Sequence, residues 1–197
     1  MIHYASRTLT FGDEASDALA ARLHAATRHL LDHAPRGALD VIPGYLTLLL
    51  AWDAKRLSGA QLRRWLALAD RLAVGETASG DTSPGKARTV RVRYDGVDLA
   101  DVAKATGLTT AQVIARHAAP TYTVHALGFT PGFPFLAQLD PALHLPRRAT
   151  PRRNVPAHAV AIAGAQTGIY PLPSPGGWHL IGTALDVMFD PHRPDPF

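Results

Sequence analysis

Apolar positions recur along this chain with two different periods. Leu19, Leu23, Ala26 and Leu30 follow one another at spacings of four, three and four, the single stripe of an amphipathic helix over residues 16–31. Ser58 with Gln61 three residues later makes a capping box that opens a second helix, and Leu62, Trp65, Leu66, Ala69 and Leu72 form its buried stripe. Tyr4 to Phe11 predicts a short strand, and Ala38 to Ile42 predicts another that ends at Pro43. Tyr45 to Trp52 is apolar on both faces and predicts a central strand. The order β-α-β-β-α is a small sheet with helices packed on one side.

The pattern changes after this segment. Val74 to Ala87 gathers Gly75, Gly80, Pro84 and Gly85 among small polar residues and reads as a linker. The boundary predicts a small α/β domain at 1–83 and a second domain at 84–197. In the second, Val90 and Val92 alternate with Arg91 and Arg93, a strand with one wet face over Thr89 to Tyr94. Two short helices follow, one over Leu99 to Ala105 and one capped by Thr109 with Gln112 that runs to about His117. Tyr122 to Leu127, Val160 to Ala163 and His179 to Ile181 read as short strands broken by Pro/Gly turns, the pattern of an all-β barrel or sandwich. Between them lie Gly128-Phe-Thr-Pro-Gly-Phe-Pro-Phe-Leu136, Gln166-Thr-Gly-Ile-Tyr-Pro171 and Ser174-Pro-Gly-Gly-Trp178. Glycine opens backbone angles that other residues avoid and proline fixes φ, so these runs predict rigid loops closing over a partner chain or a small ligand.

Composition narrows the classes. At 197 residues and 47% hydrophobic, the chain can bury a core. It has no cysteine, which removes disulfides, thiolate nucleophiles and cysteine-ligated metals and fits a cytoplasmic location. We read no signal peptide, and the longest apolar run, Leu46 to Trp52, is too short to span a bilayer. Residues 1–83 balance nine Lys/Arg against nine Asp/Glu, whereas residues 84–197 hold eleven against seven. The excess includes Arg147, Arg148, Arg152 and Arg153, each pair preceded by a proline that stiffens the chain. Such a cluster suits phosphate, carboxylate or an acidic surface. The helix pair at 99–117 has the rhythm of a helix-turn-helix, but its second helix offers only Gln112, Arg116 and His117, too little for DNA. Nucleic acid and membrane are therefore not expected partners.

The chemistry-bearing residues are few. Gly164-Ala-Gln-Thr-Gly168 lacks the lysine of a P-loop, and no G-x-S-x-G elbow occurs. Ten histidines include no H-E-x-x-H, and at ligand spacing from an acidic residue there is just the pair Asp190 and His192, short of the three or four ligands a site needs, so no metal is expected. Gln166, Thr167 and Tyr170 offer an amide and two hydroxyls beside glycines, suited either to a small amide or carboxylate or to a hydrogen-bonded turn. Phe129, Phe133, Phe135 and Trp178 either line a pocket or partner surface or fill the core. His117 closes an apolar helix, where it caps the helix end or carries a proton.

Taken in order, the Gly128–Leu136 run, Pro146-Arg-Arg148, Pro151-Arg152, Val155-Pro156, Gly164-x-Gln-Thr-Gly-Ile-Tyr-Pro171, Ser174-Pro-Gly-Gly-Trp178 and Leu180-Ile-Gly182 resemble the family that contains the B subunit of 5-oxoprolinase. It is also called allophanate hydrolase subunit 1 or the carboxyltransferase C/D-subdomain family, and it includes an inhibitor of a sporulation histidine kinase. Asp190-Pro191 and Ile42-Pro43 also fit its pattern. The resemblance implies an α+β protein, its N-terminal α/β domain followed by a cyclophilin-like antiparallel β-barrel. It implies a larger partner subunit with a related barrel, a third subunit that uses ATP, and opening of 5-oxo-L-proline to L-glutamate by the complex. In that reading Arg148, Arg152 and Thr167 bind phosphate or carboxylate, Gln166 and Tyr170 orient a cyclic amide, and His117 relays a proton. The alternatives are a regulatory protein acting on a histidine kinase without turnover, and a carboxyltransferase-like subunit acting on a urea-type substrate with biotin. Two departures stand out. Gly182 is followed by Thr183 and Ala184 where the family carries Arg or His and then Thr, and the chain stops at Phe197. An expectation follows that the barrel lacks its last strands or receives one from a partner.

Overall fold

The computed structural model describes residues 2–76, 87–190 and 192–193. The chain divides into two compact units, Met1–Gly85 and Lys86–Phe197. Most of the linker and the expected boundary at 83/84 lie outside the described residues, as does Pro191 of the Asp190-Pro191 pair.

The first unit follows its apolar periods. Strands β1 (Tyr4–Thr10), β2 (Ala38–Pro43) and β3 (Thr47–Asp53) alternate with helices α1 (Asp17–Asp32) and α2 (Gly59–Ala73). The sheet order is β1-β3-β2, antiparallel throughout, with the most apolar strand in the centre. Ser16 caps α1 by accepting the Leu19 N–H (3.1 Å), and Ser58 and Gln61 form the expected box on α2. Leu19, Leu23, Ala26 and Leu30 are buried against Leu48, Leu50, Trp52 and Trp65. The Trp65 indole N–H donates to Leu30 O (3.1 Å), which fixes α2 on α1.

The second unit carries the chemistry. Its elements are β4 (Val92–Arg93), α3 (Leu99–Thr106), α4 (Thr110–Ala118), β5 (Thr123–Leu127), β6 (Pro134–Ala137), a 3-10 turn at Pro141–Leu143, β7 (Arg152–Val155), β8 (Ala159–Ala163), β9 (Gln166–Ile169), β10 (Ser174–Gly176) and β11 (His179–Ala184). Six strands form one antiparallel sheet in the order β4-β11-β8-β9-β6-β5, and β7 pairs with β10 in a second, two-stranded sheet.

The cyclophilin-like barrel is not what these residues build. Among the described residues β4 and β5 are the two outer strands of the sheet and do not pair with each other. Closure needs a continuous ladder between first and last strands, and β4 is two residues long. The expectation of missing closing strands falls with the barrel, because β11 is an interior strand between β4 and β8. The fold is α+β, with an N-terminal α/β region and a larger, open antiparallel sheet.

Both faces of this sheet are covered. Val160, Ile162, Ile169 and Ile181 face α3 and α4, whose Val102, Ala103 and Val113 bury against them. Ala159, Ala161, Ala163 and Leu180 point the other way, toward Phe133, Val155, Tyr170 and Trp178. The period of two along β8 thus sorts large aliphatic residues to the helices and alanines to the aromatic rings. The helix pair at 99–117 is sheet cover.

Candidate functional site

Each of the three predicted loops contains a strand. Pro134–Ala137, Gln166–Ile169 and Ser174–Gly176 all join ladders, and β6 and β9 sit inside the six-stranded sheet. Their glycines serve close packing: a Cβ on Gly168 would lie 2.8 Å from the Phe133 ring. The stretch between β5 and β6 remains an open loop. Leu127, Gly128, Phe129, Thr130, Pro131 and Gly132 line a shallow depression of about 350 Å³ there. Phe129 has φ 66° and is 60% exposed.

Phe133 is the hub of the aromatic face. Its ring centroid lies 5.5 Å from Phe129, 4.8 Å from Phe135, 5.1 Å from Tyr170 and 5.6 Å from Trp178, mostly edge to face. Phe133, Tyr170 and Trp178 are buried, Phe135 partly so. Gly176 abuts the Tyr170 hydroxyl so closely that a Cβ there would collide with it. Gly176 is also the ladder partner of Arg152. Burial pushes the Tyr170 phenol up, while Arg147 and Arg152 pull it down.

The arginines converge on a residue that no local pattern singles out. Asp98 is 2% exposed, and its Oδ1 accepts both Arg148 Nη1 (2.9 Å) and Arg152 Nη2 (2.6 Å). Its Oδ2 accepts the Leu180 N–H (2.7 Å), and its own N–H donates to Leu180 O (2.9 Å). Burial opposes the charged form of Asp98, but the Arg152 bond, the Leu180 N–H and the fields of both arginines outweigh it and hold the carboxyl below its ordinary value. Arg147 and Arg153 are exposed. Asp98 precedes α3 like an ordinary cap residue, yet its side chain makes no cap bond. Its role needs partners fifty and more residues away, so sequence reasoning missed it.

His117 and Thr167 lie together on the helix-covered face. His117 Nε2 donates to Thr167 Oγ1 (2.8 Å), which in turn donates to Ala161 O (3.0 Å). Nδ1 therefore accepts from the Tyr94 hydroxyl (2.7 Å). Burial pushes the imidazole down to about 4, so it is neutral near pH 7. The sheet separates this pair from Tyr170, whose ring belongs to the opposite face. Gln166 opens β9 half-buried. Thr183 donates to Asp95 Oδ1 (2.8 Å), and the other oxygen of that carboxylate receives Arg93 Nε (2.5 Å). The run Gly164–Gly168 is the β8–β9 turn and part of β9, with no helix N-terminus behind it, so it does not fit a nucleotide phosphate.

An α/β sheet unit followed by an open antiparallel sheet, helical on one face and aromatic on the other, defines an α+β protein with an arginine–aspartate cluster beside its aromatic wall. The chain belongs to the family of the carboxyltransferase domain, subdomain C and D, whose model matches residues 3–197. It is 54% identical over 101 residues to the B subunit of 5-oxoprolinase from Haemophilus influenzae, a match that covers 51% of this chain and 47% of that protein. The chain thus spans about half the length of that relative. It is 32% identical over 200 residues to the B subunit of 5-oxoprolinase from Bacillus subtilis, covering 95% of this chain and 82% of the relative. The crystal structure of TTHA0988 superposes with a TM-score of 0.86 at 48% identity, over 98% of this chain and 38% of that one. Among the described residues no helix is long and apolar enough to cross a membrane.

Proposed function

We propose that this chain is a non-autonomous subunit of a 5-oxoprolinase-type complex that opens 5-oxo-L-proline to L-glutamate with ATP. The observation that carries the reading is the similarity to the B subunits of 5-oxoprolinase from two organisms, in one case along 95% of this chain. The region equivalent to this chain is 38% of TTHA0988, a length consistent with the larger partner being joined to it in that protein. The nucleotide is taken up by another subunit, because the glycine runs of this chain do not suit it. Arg148 and Arg152 hold the substrate carboxylate, Tyr170, which abuts the Gly176 partner of Arg152, orients the ring amide, and Gln166 is a further candidate for that amide. His117 and Thr167 spend their polar groups on each other, Tyr94 and Ala161, and brace β9 rather than relay a proton.

The test is a complex assembled with the larger and the ATP-using subunits. Replacing both Arg148 and Arg152 by lysine, which keeps charge beside the buried Asp98 but loses the fork, abolishes 5-oxoproline-dependent ATP hydrolysis while the chain still folds and co-purifies. Full activity of the double variant would overturn the assignment. A second reading, a regulatory binding protein without turnover, draws on the exposed Phe129 and on the engagement of His117. Tight assembly with no turnover in any combination of subunits would favour it.

A further inference from the structure

We propose that Asp98 is the positioning residue of an oxyanion clamp, and that Arg148 and Arg152, gathered on it, take the carboxylate of a small ligand in preference to a phosphate. The proposal rests on the 5-oxoprolinase reading for its choice of 5-oxo-L-proline as a probe, and on geometry for the rest.

Gly96 begins the arrangement. A side chain there would collide with the backbone of Leu180, Ile181 and Gly182, so only glycine lets the turn before α3 press onto β11. That contact places Asp98 against Leu180, with the N–H···O bonds of both residues engaged. The remaining carboxylate oxygen gathers guanidiniums from two separate segments. Arg148 comes from a loop tied by its own N–H to Gly177 O (2.8 Å), and Arg152 opens β7. Two guanidiniums held this close repel each other, and the shared carboxylate offsets that repulsion.

The charge count selects the ligand. Within the clamp, two arginines less one aspartate leave a single positive charge, with Arg147 exposed nearby and screened by solvent; a carboxylate neutralises that charge and a phosphate dianion overshoots it. Each guanidinium has five N–H donors, and Asp98 takes one from each. Arg148 Nε and Arg152 Nη1 are buried and meet no acceptor among the described residues. Buried donors of this kind call for an acceptor. The two side chains remain 32% and 24% exposed, so the clamp is open to an incoming oxyanion. Arg152 is the ladder partner of Gly176, which abuts the Tyr170 hydroxyl. A compact ligand body would rest there.

Side-chain NMR of the full chain tests this through the Nε–H signals of Arg148 and Arg152. Acetate and 5-oxo-L-proline should move both signals saturably. 2-Pyrrolidinone, which lacks the carboxylate, should not, and inorganic phosphate should bind at least tenfold more weakly than 5-oxo-L-proline. In Asp98→Asn the clamp gains a net charge, and the ratio of phosphate to acetate affinity should rise tenfold or more, a change that mere loosening of the fold does not produce. An unchanged ratio, signals unmoved by every anion, or a wild-type preference for phosphate overturns the proposal. Should Asp98→Asn fail to fold, Arg152→Lys keeps the charge but loses the fork; at least tenfold weaker acetate binding supports the clamp and unchanged binding overturns it. If acetate binds and 5-oxo-L-proline does not, the clamp stands and the proposed substrate falls.

Discussion

His117 on α4 and Thr167 on β9 share a hydrogen bond of 2.8 Å in the interior, and the imidazole cannot take a proton without disturbing the chain of bonds to which it belongs. A charged ring would donate from both nitrogens, and Tyr94 would have to turn its hydroxyl proton away. Burial pushes the imidazole down from 6.5 to about 4. As pH falls, the unfolded chain therefore binds this proton before the folded one does. The stabilisation is fully present above the unfolded value and is lost as pH drops from there toward 4, by up to ~3 kcal/mol. Urea midpoints measured between pH 7 and 4.5 should fall accordingly, and His117→Gln should flatten that slope. A slope unchanged in the variant would show that other groups carry it.

Gly96 is predicted to be the least replaceable turn glycine of the second unit. In Gly96→Ala the new methyl meets the backbone of β11, which cannot give way like a side chain. Overpacking of this kind costs about 3 kcal/mol, or roughly 6–12 °C in Tm for a chain of this size. Thermal unfolding followed by circular dichroism checks it; a shift under about 2 °C, the span of a sub-kcal/mol change, would refute the close contact.

Gly176 and Tyr170 should behave as a coupled pair. Gly176→Ala drives its methyl into the Tyr170 hydroxyl, with the ring carbon Cζ 2.9 Å away. The single variant should be destabilised by ~2 kcal/mol. Adding Tyr170→Phe should recover part of that loss, giving a coupling energy of about 1 kcal/mol in a double-mutant cycle. Strict additivity would place the two groups apart.

Phe129 and Phe133 should separate partner binding from stability. Phe133 is buried among four rings, and Phe133→Ala should cost about 3–5 kcal/mol. Phe129 is 60% exposed and held at a positive φ, so Phe129→Ala should leave stability within ~0.5 kcal/mol. If the depression around it receives the larger subunit, the same change should weaken that assembly at least tenfold, read by calorimetry. Equal affinity would move the interface elsewhere.

Local information was enough for the elements whose stabilisation is local. The stripe from Leu19 to Leu30, the boxes at Ser58 and Thr109 and the doubly apolar β3 all appear where their periods place them, because each encodes its own cap or face. Thr89 to Tyr94 shrank to Val92–Arg93 because Arg91 turns its N–H to Asp186 (2.7 Å) instead of to a neighbouring strand. β6, β9 and β10 passed for loops, since their glycines and prolines mask strand propensity and only long-range ladders satisfy their backbones.

By itself, then, the sequence determined the helices, the central strands, the pairing of arginines with prolines and, through its motifs, the family. Tertiary structure alone decided that the large sheet stays open, that β9 turns Thr167 toward His117 while Tyr170 faces the aromatic wall, and that Asp98 gathers Arg148 and Arg152. Periodicity and capping act within a few residues. Sheet closure, the face a strand turns to its partner and charge pairing across fifty residues depend on which segments meet in space.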